Sequence, residues 1–175
     1  MAEEGLPKIT LKYDGLFDFE GLYAAITDWA KNYGFLWHES DYKHKVPSPN
    51  GAEQEMKWVI EKKVTDYIEY QITFDVHIWD MQELEIEQDG QKKPVLKGRI
   101  YIIIKGKMVY DWQKKFAGSK FAEKLGDWYN KIMQRDIESK LDPLYYRMWN
   151  LHAVIRKYFD MQAKKYAYKG YLGEN

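Results

Sequence analysis

From Tyr67 to Trp79 the chain alternates with period two. Ile68, Tyr70, Ile72, Phe74, Val76 and Ile78 take every even position, and Glu69, Gln71, Thr73, Asp75 and His77 fill the odd ones. This is the pattern of a strand with one face on a core and the other toward water. Even residues are expected inward and odd residues outward, since a one-residue slip would put six apolar side chains in water. Met56, Trp58 and Ile60 alternate in the same way upstream, and Lys62 to Asp66 is the expected turn between the two runs. Downstream, Leu84 and Ile86 continue the alternation against Glu83, Glu85 and Glu87, and Asp89-Gly90 is a strong hairpin signal. Val95 to Lys105 and Lys107 to Asp111 return as strands, joined or bulged at Gly106. Near the start, Lys8 to Tyr13 is a half-buried strand and Asp14-Gly15 a turn. Phe35 to Lys45 is a further strand, and the VPSPNGA segment Val46 to Ala52 is a loop.

Two regions carry the helical period instead. Asp18 can cap a helix whose apolar positions are Phe19, Leu22, Tyr23, Ile26, Trp29, Ala30 and Tyr33, with Gly34 where a C-terminal cap belongs. After Gly118, with Ser119 as cap, Phe121, Leu125, Trp128, Ile132 and Leu141 fall near one stripe, widened by Tyr129, Met133 and Ile137. That stripe is expected to lie on the even face of the 67–79 strand, with Trp128 and Ile132 in contact. Asp142-Pro143 is expected to end this helix near Lys140, with Asp142 capping a second helix at the N–H of Leu144 or Tyr145. The second helix carries Leu144, Met148, Leu151, Ile155 and Tyr158 or Phe159. Residues 163–175 have no period and read as a frayed tail.

Composition narrows the class. The chain has 175 residues, 45% hydrophobic and 31% charged, which is ordinary for a globular protein. No linker or internal repeat interrupts it, so one domain over 1–175 is expected, with its core at about 8–162. The elements add up to an α+β fold: an antiparallel meander sheet packed on long C-terminal helices. Lys+Arg and Asp+Glu both number 27, so bulk charge does not recruit nucleic acid. Cysteine is absent, which removes disulfides, thiolate nucleophiles and Cys-ligated zinc. No apolar run is long enough for a membrane helix, and the opening MAEEGLPK has no apolar h-region. A cytoplasmic protein is expected. The basic residues are 23 Lys and only four Arg, which fits a thermophile or an AT-rich genome equally.

The order of elements, strand, helix, antiparallel strands and a long helical C-terminus, resembles the START-like or polyketide-cyclase-like helix-grip superfamily. The resemblance covers roughly residues 8 to 162 and rests on element order, with no sequence motif. It implies a curved sheet wrapped round a C-terminal helix and enclosing an apolar cavity. Two features depart from that pattern: the break expected at Asp142-Pro143, and a first helix followed directly by a strand.

Candidate chemistry is sparse. His38, His44, His77 and His152 are spread along the chain. His77 and Asp75 share the solvent-facing parity, so they read as surface residues and no metal or cofactor is expected. No serine has a nucleophile elbow, and neither glycine-rich phosphate loop occurs. Glu83, Glu85 and Glu87 read as protection of an exposed edge, paired with Lys92 and Lys93. The interleaved lysines and tyrosines of Lys164 to Tyr171 read as a solvated tail. The aromatics are the least bland feature, at 17% of residues. Trp58, Tyr70, Phe74, Trp128 and Tyr129 are the candidate lining of a site for an apolar or aromatic ligand between sheet and helices. Tyr145, Trp149, His152 and Arg156 form a second stripe, the candidate partner-binding face. The leading functional reading is thus a non-catalytic ligand-binding domain. The rivals are a homo-oligomeric interaction protein, using the aromatic stripe or an edge strand, and a cyclase- or hydrolase-like enzyme with polar groups in the cavity. A lined cavity favours the first, a solid core with an exposed aromatic patch the second.

Overall fold

The computed structural model describes residues 3–48, 51–88, 91–116 and 118–163. The chain runs β1 (Glu3–Gly5), β2 (Ile9–Phe17), α1 (Phe19–Asn32), β3 (Leu36–Ser48), β4 (Gly51–Lys63), β5 (Ile68–Gln88), β6 (Gln91–Tyr110), α2 (Lys120–Ile132) and α3 (Gln134–Ala163). The six strands form one antiparallel sheet, in the order β1-β6-β5-β4-β3, with β2 also on β6. Helices pack on one face, which makes this an α+β fold.

The even face of β5 is the core. Ile68, Tyr70, Ile72, Phe74, Val76 and Ile78 are all buried, beside Met56, Trp58 and Ile60 on β4 and Ile100, Ile102 and Ile104 on β6. The odd residues from Glu69 to His77 take intermediate exposure on the other face. This register agrees with the alternation in the sequence.

α1 also follows its signals. The Asp18 carboxylate accepts the Gly21 N–H at 2.8 Å, Leu22, Ile26, Trp29 and Ala30 are buried, and Gly34 takes φ +72° just past the last turn. Ser119 caps α2 by accepting from the Ala122 N–H.

Several expectations fail, each for a physical reason. Asp14-Gly15 is no turn: β2 pairs with β6 without a break from Ile9 to Phe17, and Gly15 absorbs the local backbone at φ +148°. The loop expected over 46–52 is mostly strand, since β3 and β4 pair as far as Ser48 and Gly51. Asp89-Gly90 and the tail from 164 lie outside the described residues.

Gly106 is no bulge. It sits in regular register opposite Ile72 inside one 20-residue strand. A side chain there would overlap the Met148 thioether of α3, so the glycine marks close helix–sheet approach. The bulge is at Asp80 instead. Trp79 pairs with Arg99, but Gln82 pairs with Lys97, so β5 carries one extra residue. Asp80 adopts φ 54°. Beyond it the facing reverses: Met81 packs on the core, and Leu84 is exposed.

The helix break also falls elsewhere. α2 ends at Ile132 with Met133 as its C-cap, and α3 runs on through Pro143. Asp142 therefore lies inside α3 and caps nothing. Leu144, Met148, Leu151, Ile155 and Phe159 are all buried along α3. Each stabilises by about 1.5–3 kcal/mol when fully buried, and their sum exceeds the roughly 3 kcal/mol cost of an interior proline. The Tyr70 hydroxyl donates to the Lys140 carbonyl, and Tyr13 stacks on Phe159 at 4.7 Å, so the sheet holds α3 on both sides of the proline.

Two outcomes follow. Pro143 is exposed, so Pro143→Ala restores a helix hydrogen bond without opening a cavity. It should raise stability by about 1–3 kcal/mol, read as a thermal or urea midpoint shift. The second concerns Asp18, whose carboxylate also holds Lys93 at 2.5 Å. Burial pushes this carboxyl up, but the Lys93 and Gly21 donors outweigh that and hold it below the usual carboxylate range. Its stabilisation is therefore present above the unfolded value of about 4 and is lost as pH falls through the lower folded value. Asp18→Ala should cost about 1–2 kcal/mol at pH 7, and urea titrations should show the gap closing as pH falls below the usual carboxylate range.

Candidate interaction face

α2 is amphipathic in an unusual way. At 100° per residue, Ala122, Gly126, Tyr129 and Met133 share one arc. This arc faces the protein. Gly126 is buried against Phe116, Tyr129 meets the Tyr67 ring at 5.0 Å, and the Tyr67 hydroxyl donates to Asn130 at 2.6 Å. Phe121, Leu125, Trp128 and Ile132 share a second arc, at spacings of four, three and four. That arc faces solvent: the four are 78%, 42%, 60% and 59% exposed. Trp128 and Ile132 therefore do not pack on the even face of β5. α2 is held away from it by the Tyr67 and Phe116 rings.

Lys120, Lys124 and Lys131, all exposed, flank the second arc on its far side. Four adjoining exposed apolar side chains on one stripe differ from the scattered single residues of an ordinary surface.

α3 carries a solvent-facing stripe of its own. Glu138, Asp142, Tyr145, Trp149, His152 and Arg156 recur at four, three, four, three and four. The ring contacts Tyr145–Trp149 at 6.2 Å and Trp149–His152 at 5.2 Å show that the side chains adjoin. Tyr146 lies beside them and is 69% exposed. Burial, and then the Arg156 charge, push the His152 imidazole down. The stripe is thus acidic at its start, aromatic in its middle and basic at its end.

The five candidate ligand residues are not brought together. Trp58 and Phe74 are fully buried, 6.2 Å apart, in a cluster with Phe19, Tyr23 and Trp37. Tyr70 is buried beneath α3. Trp128 is on the exposed arc of α2, and Tyr129 is on its inner arc. Ile68, Tyr70, Ile72, Phe74 and Ile78 line none of five surface hollows of about 290 to 780 Å³. One hollow, of about 360 Å³, opens beside the aromatic cluster between Phe19, Gln54, Met81 and Leu96. Within that cluster the indole N–H groups of Trp37 and Trp58 are buried without a hydrogen-bond partner.

The histidines are dispersed. His38 lies 3.9 Å from Glu61, and His77 lies between Glu53 and Glu55 on the outer face of the sheet. Two features are hidden in the sequence. The Phe121–Ile132 stripe reads as core by its spacing, and only Gly126 inside α2 signals that a different arc makes the close contact. Glu53 and Glu55 carry no local signal, because nothing in their own segment says that their strand pairs with the one bearing His77.

No known family model matches the chain, and no curated protein matches it. Among solved structures it is similar to a protein of unknown function, SA2116, from Staphylococcus aureus. The identity is 12%, over 89% of this chain and 96% of that one, with a TM-score of 0.20. Among the described residues, no helix is long and apolar enough to cross a membrane.

Proposed function

We propose that this protein is a non-catalytic interaction protein that pairs with a second copy of itself through α2 and α3. One observation carries the reading: the solvent-facing stripe Phe121, Leu125, Trp128 and Ile132. Its charge pattern argues for the occupant. Two α2 stripes laid antiparallel on each other would bring Lys124 and Lys131 together, which is unfavourable. The α3 stripe suits it better, with Glu138 and Asp142 for the α2 lysines and Tyr145 and Trp149 for the apolar side chains. A two-fold pair would make this contact twice. The exposed apolar surface on the two helices is on the order of 700 Å² by side-chain size, near the roughly 800 Å² per partner of a standard interface.

A second reading rests on the buried, unpartnered indole N–H groups of Trp37 and Trp58. Such donors call for an acceptor. A small aromatic or apolar ligand carrying a carbonyl, entering by the hollow between Phe19 and Leu96, would supply one. Membership of the helix-grip superfamily would fit that reading, since ligands there lie between sheet and helix.

Sedimentation velocity at micromolar concentration tests the first reading. The wild type should be dimeric. Leu125→Lys with Trp128→Lys should be monomeric with an unchanged fold, because both side chains are exposed and surface changes typically move stability by less than about 0.5 kcal/mol. Reversing Glu138 and Asp142 to Lys should weaken the dimer, and reversing Lys120 and Lys124 to Glu in that background should restore it. A wild-type monomer would overturn the pairing. So would a dimer indifferent to these changes, or a monomer that binds anionic vesicles through α2.

A further inference from the structure

The outer face of the sheet, opposite the helices, carries a different cluster. Glu53, Glu55 and His77 each bring one donor atom to within 4.8 Å of the others. The strands force this. Glu55 is the cross-strand partner of His77, and Glu53, two residues along β4, takes the same face. His77 Nε2 lies 2.6 Å from a Glu53 oxygen, and Nδ1 lies 3.5 Å from a Glu55 oxygen. The ring lies flat on Trp79, with centroids 3.7 Å apart, so its orientation is fixed. All three side chains are half-buried.

We propose that Glu53, Glu55 and His77 form a binding site for a divalent transition-metal ion of the zinc type. One imidazole nitrogen with two carboxylate oxygens is a borderline donor set, suited to zinc and its neighbours. Calcium and magnesium prefer oxygen ligands alone, so the histidine selects against them. On binding, His77 Nε2 releases any proton it holds to solvent and gives its lone pair to the metal. The Glu53 oxygen beside it turns from the ring to the ion. The surface hollow of about 490 Å³ over Glu55, His77, Trp79 and Tyr101 leaves room for water to complete the coordination.

Isothermal titration of the whole chain with zinc chloride, and separately with magnesium chloride, tests this. Zinc should bind one-to-one with an affinity in the micromolar range, and magnesium should not compete. Cobalt substituted for zinc should give visible absorption bands. His77→Ala should weaken zinc binding by roughly tenfold or more and abolish those bands, whereas His38→Ala and His152→Ala should leave both unchanged. Should His77→Ala fail to fold by circular dichroism, Glu53→Gln with Glu55→Gln serves the same purpose and keeps the side-chain size. Wild-type binding no tighter than millimolar would overturn the site, as would a folded variant of this cluster that binds zinc as the wild type does. Oligomeric state is read separately, so failure here leaves the pairing of α2 and α3 untouched.

Discussion

The register of β5 against its neighbours is the constraint on which the rest of the structure depends. For eleven residues it puts one apolar side chain after another on the helix side. The single extra residue at Asp80 then shifts the facing, so that Met81 packs on the core and Leu84 is exposed. The shift is built into both neighbouring strands. A side chain on Gly98 would press on the Trp79 carbonyl, and one on Gly51 would press on the Asp80 backbone. Gly51 also sits at φ +134°, where other residues are strained. Two glycines, one on each flanking strand, thus admit the bulge, and a side chain at either would force the backbone to move. The bulge in turn separates the long ladder that supports α3 from the hairpin arm that reaches the start of α1, where Lys93 meets Asp18.

What was legible in the sequence was what a single element decides for itself. The inward set Ile68 to Ile78 was readable because only one register buries it. Asp18 and Ser119 were readable because a cap needs nothing beyond its own first turn. Pro143 shows the opposite case. Locally it argues for a break, and the break would come if α3 stood alone. The Tyr70 hydroxyl on the Lys140 carbonyl and the buried run from Leu144 to Phe159 hold the helix together across it. No local pattern contains those contacts. The bulge is harder still to read, because Leu84 and Ile86 return to the even positions in the sequence while Met81 packs on the core and Leu84 is exposed.

The candidate sites divide along the same line. The Tyr145, Trp149, His152 and Arg156 stripe was found because helical spacing alone assembles it, and the ring contacts agree. The proposed lining of Trp58, Tyr70, Phe74, Trp128 and Tyr129 spans several elements and needed one particular docking of α2 on the sheet. That docking does not occur. The trio Glu53, Glu55 and His77 also spans two strands, and its signal is a pairing that appears only when β4 and β5 are aligned.

α2 brings these threads to one point. Its apolar residues cover two arcs, and a helix with two apolar arcs needs two surfaces to cover them. Tyr67 and Phe116 cover Gly126 and Tyr129 on the inner arc. The absence of a side chain at Gly126 lets the helix approach Phe116 closely, and with that arc inward Phe121, Leu125, Trp128 and Ile132 face outward. Had the large residues faced inward, α2 would stand further off, and Gly126 would leave a gap beneath it. The same packing that fixes α2 on the chain therefore creates the exposed stripe. Nothing among the described residues lies close enough to bury it. The stripe is a consequence of how α2 is anchored, and the proposed pairing would cover it.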